Sequence, residues 1–416
     1  MHIVLIPGSY QPDRCGVAHY TARLRTVLAE RGVTSTVLTT HAAAAVASNP
    51  TVVGAGHAWQ LTDLLPLLQA IRSTPADVLH IQHAAGSYGF QRAIFLLPWL
   101  LRRVGYRQPI VTTAHEYGWW EWHPNRIPPR LLEWLKQWGQ QRGWWDQEDG
   151  FLLTGSNAII TTNANAKTII RSRLPQLGDR LHFIPIGANV EVVPIERSLA
   201  QAQLRQQYGW STATQVIAFF GFLHPVKGLE TLLPAFQQVV QQAPQARLLL
   251  IGGVESLALR GEDAQRYWQQ LHQQVADLGL THSVKLTGYV DAATASHYLS
   301  GADIGVLPFN HGITLKSGSL LTLFAHRLPT IATRKEQLDA ELDDRHVIHL
   351  VPPRDPAALT QALLTVLQDA ALRDRLSQRA ASLAQRFQWE TIARQHLEIY
   401  QAVCRQTNRD YSVAKG

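Results

Sequence analysis

QVIAFFGFLHPVKGLETLLPAFQQVVQQAPQARLLLIGG, residues 215–253, decides the architecture. QVIAFFGFL is a β-rich apolar run whose strand ends at Gly221, and ARLLLIGG (246–253) is a second one. Between them LETLLPAFQQVVQQAP carries apolar residues at helical spacing. Strand, helix and strand in close succession read as a βαβ unit, hence a parallel sheet covered on both faces. Working outward, SVKLTGYV (283–290), ADIGVLPF (302–309), PTIAT (329–333) and HVIHLVPP (346–353) continue the series. The N-terminal third uses the same grammar, with strands expected at HIVLIP (2–7), TSTVLTT (34–40), DVLHIQH (77–83) and PIVTTAH (109–115). After the first of these, Val17, Tyr20, Leu24, Val27 and Leu28 recur at helical spacing and Gly32 stops the helix. FQWETIARQHLEIYQAV (387–403) reads as a terminal amphipathic helix. The expectation is an α/β chain of two doubly wound, Rossmann-like domains facing a cleft, joined near residues 186–205. The Gln-rich patches QAQLRQQ, QQVVQQAPQ and QRYWQQLHQQ are expected on solvated helix faces.

The 416 residues are too many for one ordinary core, and 46% hydrophobic with 17% charged residues marks a soluble globular chain. HIVLIP runs straight into GSYQPDR, without a basic leader or a long apolar core, so no signal peptide is expected. No apolar run approaches the roughly 20 residues of a membrane span. Cys15 and Cys404 lie at opposite ends of the chain and make no disulfide framework, which fits a reducing cytoplasm. A net charge of +7 suits anionic small ligands or a membrane surface. A nucleic-acid binder would show a basic cluster within a recognisable motif, and none is present.

In open α/β sheets ligands bind outside the carboxyl ends of the strands, so the loops there hold the candidates. The first, GSYQPDRCGVAHY (8–20), places Gly16 just before a helix, where a phosphate or sugar can come close to the backbone. The dinucleotide fingerprint G-x-G-x-x-G is absent, which counts against a nicotinamide enzyme. The second, TTAHEYGWW, sets His115 and Glu116 at a strand end, where a histidine can bond a substrate hydroxyl or move a proton. His80 and His83 stand three apart on a strand, on opposite faces, and make a poor metal pair. No Cys/His spacing for zinc occurs. The third, GFLHPVKGLETLL (221–233), puts Lys227 beside Gly228 at a helix start, as a diphosphate requires. The fourth, HGITLKSGSLLTLFAHRLPT (311–330), offers the N–H groups of Gly318, Ser319 and Leu320 at a helix start, with Lys316 nearby. A plain tight turn, a satisfied polar pair, a surface lysine and an ordinary serine cap are the respective structural alternatives.

Taken together, these loops resemble glycosyltransferase family 4, the retaining, nucleotide-sugar enzymes of the GT-B fold. The resemblance rests on the Gly16 loop, TTAHE, FIPIGAN (183–189), GFLHPVKGLETLLPAF, RLLLIGG, LTGYV, ADIGVLPF, LPTIAT and the FQW…IY tail, in order along nearly the whole chain. It implies an N-terminal acceptor-side domain (1–190), a C-terminal nucleotide-sugar domain (191–385), and a last helix (386–416) crossing back to the N-terminal domain. It also implies roles. Gly16 would approach the donor phosphate or sugar, His115 would contact the donor sugar near the reaction centre, and Lys227 would bind the leaving diphosphate. Tyr289 and Val290 would line the base pocket. The chain departs from the pattern where the usual arginine is Phe222 and the usual glutamate pair falls on Thr314 and Thr322. The first of that pair contacts the donor sugar and the second the ribose, so these two threonines inherit the donor-binding positions. Lys316 could stand in for the arginine. Cleaving the bond from sugar to diphosphate needs positive charge and fixed N–H dipoles at the leaving group, and a metal is optional where two lysines and a helix start converge. No metal or other cofactor is therefore expected.

Seven of the 12 tryptophans lie between 119 and 145: Trp119, Trp120, Trp122, Trp134, Trp138, Trp144 and Trp145. Arg126, Arg130, Lys136 and Arg142 are interleaved, and FLLPWLLRRVGYR (95–107) lies upstream. That pattern suits an interfacial surface on anionic lipid, or an acceptor groove in which aromatic faces stack on sugars. The expected partners are a nucleoside-diphosphate sugar and a saccharide or lipid-linked acceptor. The expected location is cytoplasmic, with a peripheral place on the inner face of the plasma membrane as an option. The competing readings are a catalytically weak scaffold of polysaccharide assembly and a sugar-nucleotide epimerase, the latter lacking the placed carboxylates it would need.

Overall fold

The computed structural model describes residues 1–11, 13, 15–47, 49–118, 128–256, 259–344 and 346–413. They form two compact units, Met1–Ile186 with Trp389–Gly416, and Gly187–Gln388. Among the described residues, the first unit holds a seven-stranded parallel sheet of β1 (His2–Pro7), β2 (Thr34–Thr40), β3 (Val52–Gly56), β4 (Val78–His83), β5 (Ile110–Ala114), β6 (Ala158–Thr161) and β7 (Leu181–Phe183). Their order is β3-β2-β1-β4-β5-β6-β7. β1, β2, β4 and β5 lie where their apolar runs predict. β3, β6 and β7 escape the pattern. VVGAG is glycine-diluted, and AIIT and LHF are four and three residues long, too short to show a period.

The helix Gly16–Ala29 is capped by Cys15, whose Sγ accepts from the Ala18 N–H at 3.3 Å. It buries Val17, Tyr20, Leu24, Val27 and Leu28, the residues whose spacing predicted it. The terminal helix Trp389–Val413 belongs to this first unit. Ile392, Ala393, Ile399, Tyr400 and Val403 join Ile3, Leu5, Tyr20 and Leu24 in one apolar cluster. Full burial of a large side chain contributes about 1.5–3 kcal/mol, which fixes this helix on the sheet.

The second unit, among the described residues, holds a six-stranded parallel sheet: β8 (Gln215–Phe220), β9 (Ala246–Ile251), β10 (Val284–Leu286), β11 (Ile304–Leu307), β12 (Thr330–Thr333) and β13 (His349–Val351), in the order β10-β9-β8-β11-β12-β13. Each sheet reverses its winding once, between β1 and β4 in the first unit and between β8 and β11 in the second. At such a switch point the loops leave to opposite sides and open a crevice at the strand ends. The first unit ends at Ile186, slightly before the expected 190, because the Asn189 and Val190 N–H groups are held by Thr322 of the second unit's helix. The return to the first unit comes at Trp389, slightly after the expected 386.

Candidate functional site

The switch point of the second unit gathers the lysine loop and the helix start singled out in the sequence. After β8 the chain passes Gly221, makes a short turn at Pro225–Lys227 and enters the helix Leu229–Gln242 through Gly228. Gly228 has φ +72°, and a Cβ there would overlap the Pro308 carbonyl that follows β11. Only glycine allows the two loops to touch. Asn310 then stitches them, its N–H to the Val226 carbonyl at 3.1 Å and its carboxamide to the Pro225 carbonyl at 3.2 Å and Glu230 Oε1 at 2.8 Å.

Lys227 sits on this stitched floor. Its Nζ lies 3.8 Å from the centroid of the Phe309 ring, a cation–π contact. Burial lowers its pKa to about 8, and among the described residues no acidic side chain pulls it back up. A partly desolvated ammonium at a helix start, stabilised by a ring face rather than a carboxylate, is suited to receive an anion.

The facing helix is Gly318–Ala325. Its cap is Ser317, whose Oγ accepts from the Leu320 N–H at 3.2 Å. Leu320 therefore does not serve as an open donor, which corrects the expectation for that residue. Gly318 and Ser319 remain in the first turn, ahead of the intrahelical ladder. A Cβ on Gly318 would overlap the Asn189 carboxamide, and the Ser319 Oγ lies 2.8 Å from where a Cβ on Gly221 would stand. The end of β8 and the start of this helix thus face each other across a glycine-wide gap. Lys316 is exposed, and its backbone N–H donates to the Thr314 hydroxyl at 3.3 Å.

Thr322 is a second correction. Its side chain is fully buried, its hydroxyl donates to the Gly318 carbonyl at 2.7 Å and accepts from the Asn189 N–H at 3.0 Å. It locks the FIPIGAN segment to the helix and offers nothing to a ribose. Tyr289 and Val290 follow β10, at the same end of the sheet but two strands from β8, about 10 Å at ordinary strand spacing. Tyr289 is half exposed, and Val290 packs on the core.

In the first unit His115 follows β5 directly. Its N–H donates to the His83 carbonyl at 2.9 Å, its Nε2 lies 2.7 Å from Gln82 Oε1, and Tyr20 meets its ring edge-on at 4.8 Å. Gly16 is exposed at the start of its helix, and a Cβ there would meet nothing within 4 Å, so space remains in front of it. His80 and His83 do point to opposite faces. His80 bonds Thr113 and Tyr400, while His83 Nδ1 lies 3.8 Å from Asp149 Oδ2. Burial pushes His83 down to about 3 and Asp149 well up. The loop after His115 is clamped from below. Glu148 accepts from the Gly118 N–H at 2.8 Å and pairs with Arg173 at 2.9 Å, and the Tyr117 hydroxyl donates to Asp146 at 2.8 Å. These buried carboxylates were missed. The only signal was a run of acids, WWDQEDG, inside an aromatic stretch. Among the described residues no three His, Cys, Asp or Glu side chains are grouped to hold a metal ion.

Trp119, Trp120, Trp122 and Arg126 lie outside the described residues. The other tryptophans form a band. Along it, rings at 99, 151, 145, 138 and 134 follow one another at centroid distances of 5.9–6.0 Å. Leu131, Trp134, Trp144 and Trp99 are exposed. Arg142 stacks on Trp138 at 4.4 Å and Arg103 on Trp99 at 5.2 Å. Lys136 instead is buried and paired with Glu133 at 3.0 Å, so it adds no free charge to the face. Among the described residues no helix is long and apolar enough to cross a membrane.

Residues 15–192 match the family model of Glycosyltransferase Family 4, and residues 214–369 match that of the glycosyl transferases group 1. The chain belongs to glycosyltransferase family 4. Among its relatives is a phosphatidyl-myo-inositol mannosyltransferase of Mycobacterium leprae, 30% identical over 255 residues, which are 61% of this chain and 62% of that protein. Another is a D-inositol 3-phosphate glycosyltransferase of Corynebacterium urealyticum, 26% identical over 54% of this chain and 51% of its own length. The matched segment thus spans less than two thirds of either relative. The fold of this family 4 chain is GT-B. A sucrose-phosphate synthase from Thermosynechococcus elongatus superposes with a TM-score of 0.68 at 21% identity, over 97% of this chain and 99% of that one. HepE of Anabaena, solved in complex with UDP, gives 0.67 at 18% identity, over 97% and 100%.

Proposed function

We propose that this family 4 chain moves a sugar, with retention, from a nucleoside-diphosphate sugar to a saccharide or lipid-linked acceptor, without a metal ion. The observation that carries the reading is Lys227, a cation held against Phe309 with no acidic partner among the described residues, at the switch point of the second sheet. A diphosphate there would restore the charge that burial weakens. Ser319, Gly318 and Lys316, on the facing helix and its approach, would complete the anion site, with Thr314 at its edge and Tyr289 and Val290 towards the base. His115 and Gly16 would serve the transferred sugar from the first unit's own strand ends. Removing one preorganised donor to a developing anion costs on the order of 10²–10³ in turnover. The test is a thermal-shift panel of UDP-, GDP- and ADP-sugars on the intact chain and on Lys227→Ala. At least one nucleotide sugar should stabilise the former and not the latter. Equal shifts in both would refute the role of Lys227.

The relatives' names specify a lipid-derived or inositol phosphate acceptor, which supports an anionic lipid or lipid-linked acceptor here. The exposed band of Trp99, Trp134 and Trp144, flanked by Arg103, Arg130 and Arg142, has the composition of a face that lies on an anionic membrane. Flotation with vesicles containing anionic lipid at low salt should carry the chain upward, and Trp134→Ala with Trp144→Ala should leave it at the bottom. Failure of the unaltered chain to float would remove the membrane from the proposal. The buried, structural place of Thr322 supports one competing reading, a donor-binding protein with weak catalysis. Binding in the thermal-shift panel without turnover on any acceptor would select it.

A further inference from the structure

We propose that the second unit carries a second anion site, at the opposite end of its sheet from Lys227, where Arg197, Arg327 and Arg373 would grip the phosphate of a small phosphorylated sugar or polyol. The proposal does not rest on the transferase reading.

An open cavity of about 710 Å³ is lined wholly by residues of the second unit. That volume falls in the range of small-molecule sites. Asp303 and Pro329 line it and stand just before β11 and β12, so it opens at the amino ends of these strands. The Lys227 turn and Phe309 follow β8 and β11, at the carboxyl ends. The helix Gly318–Ala325 runs between the two places. Gly318 and Ser319 begin it, and Ala325, with His326 and Arg327 beyond it, borders the cavity. A helix of 8 residues is about 12 Å long, so the two places are separate sites.

The cavity wall holds arginines in place without neutralising them. Arg197 donates from Nη2 to the Ala302 carbonyl at 2.9 Å. Arg373 donates from Nη1 to the Val366 and Leu367 carbonyls at 2.8 and 2.6 Å, at the end of the helix Pro356–Gln368. A guanidinium has five N–H donors, so most of them remain. Among the described residues, neither these two nor Arg327 forms an ion pair. Arg327 is exposed, and its φ of +58° lies in the left-handed region. It stands just past the helix end, where glycine is usual: its N–H donates to the Phe324 carbonyl and the Leu328 N–H to the Leu323 carbonyl, both at 3.0 Å. The backbone there gives no reason for an arginine, since glycine would avoid the steric cost.

The nearby acids are mostly engaged. Asp303 pairs with Arg205 at 2.8 Å and accepts from the Val216 N–H at 2.7 Å. Glu196 caps its own helix, accepting from the Leu199 N–H at 3.2 Å. Desolvation lowers the Arg197 pKa; Asp303 opposes it, Arg327 and Arg205 add to it, and Asp374 opposes it again. Like charges thus stand close enough to repel, and a phosphate between them would relieve this. Planar guanidinium forks match phosphate oxygens two bonds at a time. Asp374, Gln378 and Ser300, also on the wall, suit hydroxyl groups beside that phosphate.

The experiment is calorimetric titration of the full chain with inorganic phosphate and with glucose 6-phosphate, at neutral pH and constant ionic strength. It is run in the Lys227→Ala background, which silences the first anion site. Glucose 6-phosphate should bind at one site and more tightly than inorganic phosphate. Arg327→Gly should weaken it roughly tenfold, as expected for one charged hydrogen-bonding group. The melting temperature of that variant should hold or rise, because the left-handed strain is gone. Unchanged affinity in Arg327→Gly, or no saturable binding at millimolar concentration, would overturn the site. Inorganic phosphate bound as tightly as glucose 6-phosphate would overturn the hydroxyl part of the assignment. Where Lys227→Ala does not fold, the same comparison of Arg327→Gly with its parent stands in the chain that keeps Lys227. Nucleotide-sugar binding should be equal with and without Arg327→Gly. A chain that binds glucose 6-phosphate but no nucleotide sugar would refute the transferase reading and leave this site standing.

Discussion

The two sheets share a winding pattern yet present opposite chemistry at their switch points. In the second unit the strand ends are bare. Gly221 and Gly228 bring backbone close, and the Lys227 ammonium on that floor leans on an aromatic ring. In the first unit the strand ends are filled. His80, Gln82, His115, Tyr20 and Tyr400 interlock through hydrogen bonds and ring contacts. Under the proposed function the second unit's end would receive a charged group and the first unit's end would hold an uncharged one. A leaving diphosphate needs the former, since its charge grows in the transition state; sugar hydroxyls need the latter.

The contrast breaks most easily at Lys227. Lys227→Ala should cut transfer on the order of 10²–10³-fold, while Lys227→Arg should retain part of it; wild-type turnover at saturating donor in the alanine variant would erase the difference between the two ends. Thr322 tests whether the bare floor depends on its frame. Thr322→Val leaves the Asn189 N–H without its acceptor and should cost roughly 1–3 kcal/mol of stability, read as a lower melting temperature. The pH dependence is next. Lys227 has its pKa lowered to about 8, so its protonated form is fully present below that value and is lost above it. Nucleotide affinity should hold from pH 6.5 to 7.5 and fall by roughly tenfold per unit as pH rises past 8, with Lys227→Arg flattening the fall. A flat profile in the unaltered chain would mean that another group holds the anion. The smallest expected effect is at Ser317. Loss of its cap in Ser317→Ala should cost about 1 kcal/mol in thermal unfolding, and it would free the Leu320 N–H.

Much of this was legible in the residues. Long apolar runs bounded by glycine gave β1, β2, β4, β5 and most of the second sheet, because buried parallel strands need both faces apolar. β3, β6 and β7 were silent: VVGAG is diluted by glycine, and AIIT and LHF lack the longer apolar flanks that gave away the equally short β10 to β13. The place of Lys227 and Gly228 at a helix start was legible, because a proline and a glycine frame the lysine just ahead of an apolar helical run. Leu320 was misjudged because a capping serine can stand one residue earlier than the glycine draws the eye to. Thr322 was misjudged because the family's position suggested a ligand contact, whereas a short hydroxyl there reaches only the backbone. Gln82 was hidden by its neighbours. The alternation in HIQH puts His80 and Gln82 on one face, but their partner Tyr400 is more than three hundred positions away, and no local pattern announces such a meeting.

That distance has a consequence for synthesis. Gly187–Gln388 lies within the sequence of the first unit, whose terminal helix is translated after the whole of the second unit. While the ribosome is still making the second unit, the first one lacks Tyr400 and His396, and the face bearing His80 and Tyr20 is uncovered. A protein stalled or cleaved before Trp389 would keep the strands of both sheets and lack the helix that buries Tyr20, Leu24, Ile3 and Leu5 in the first unit.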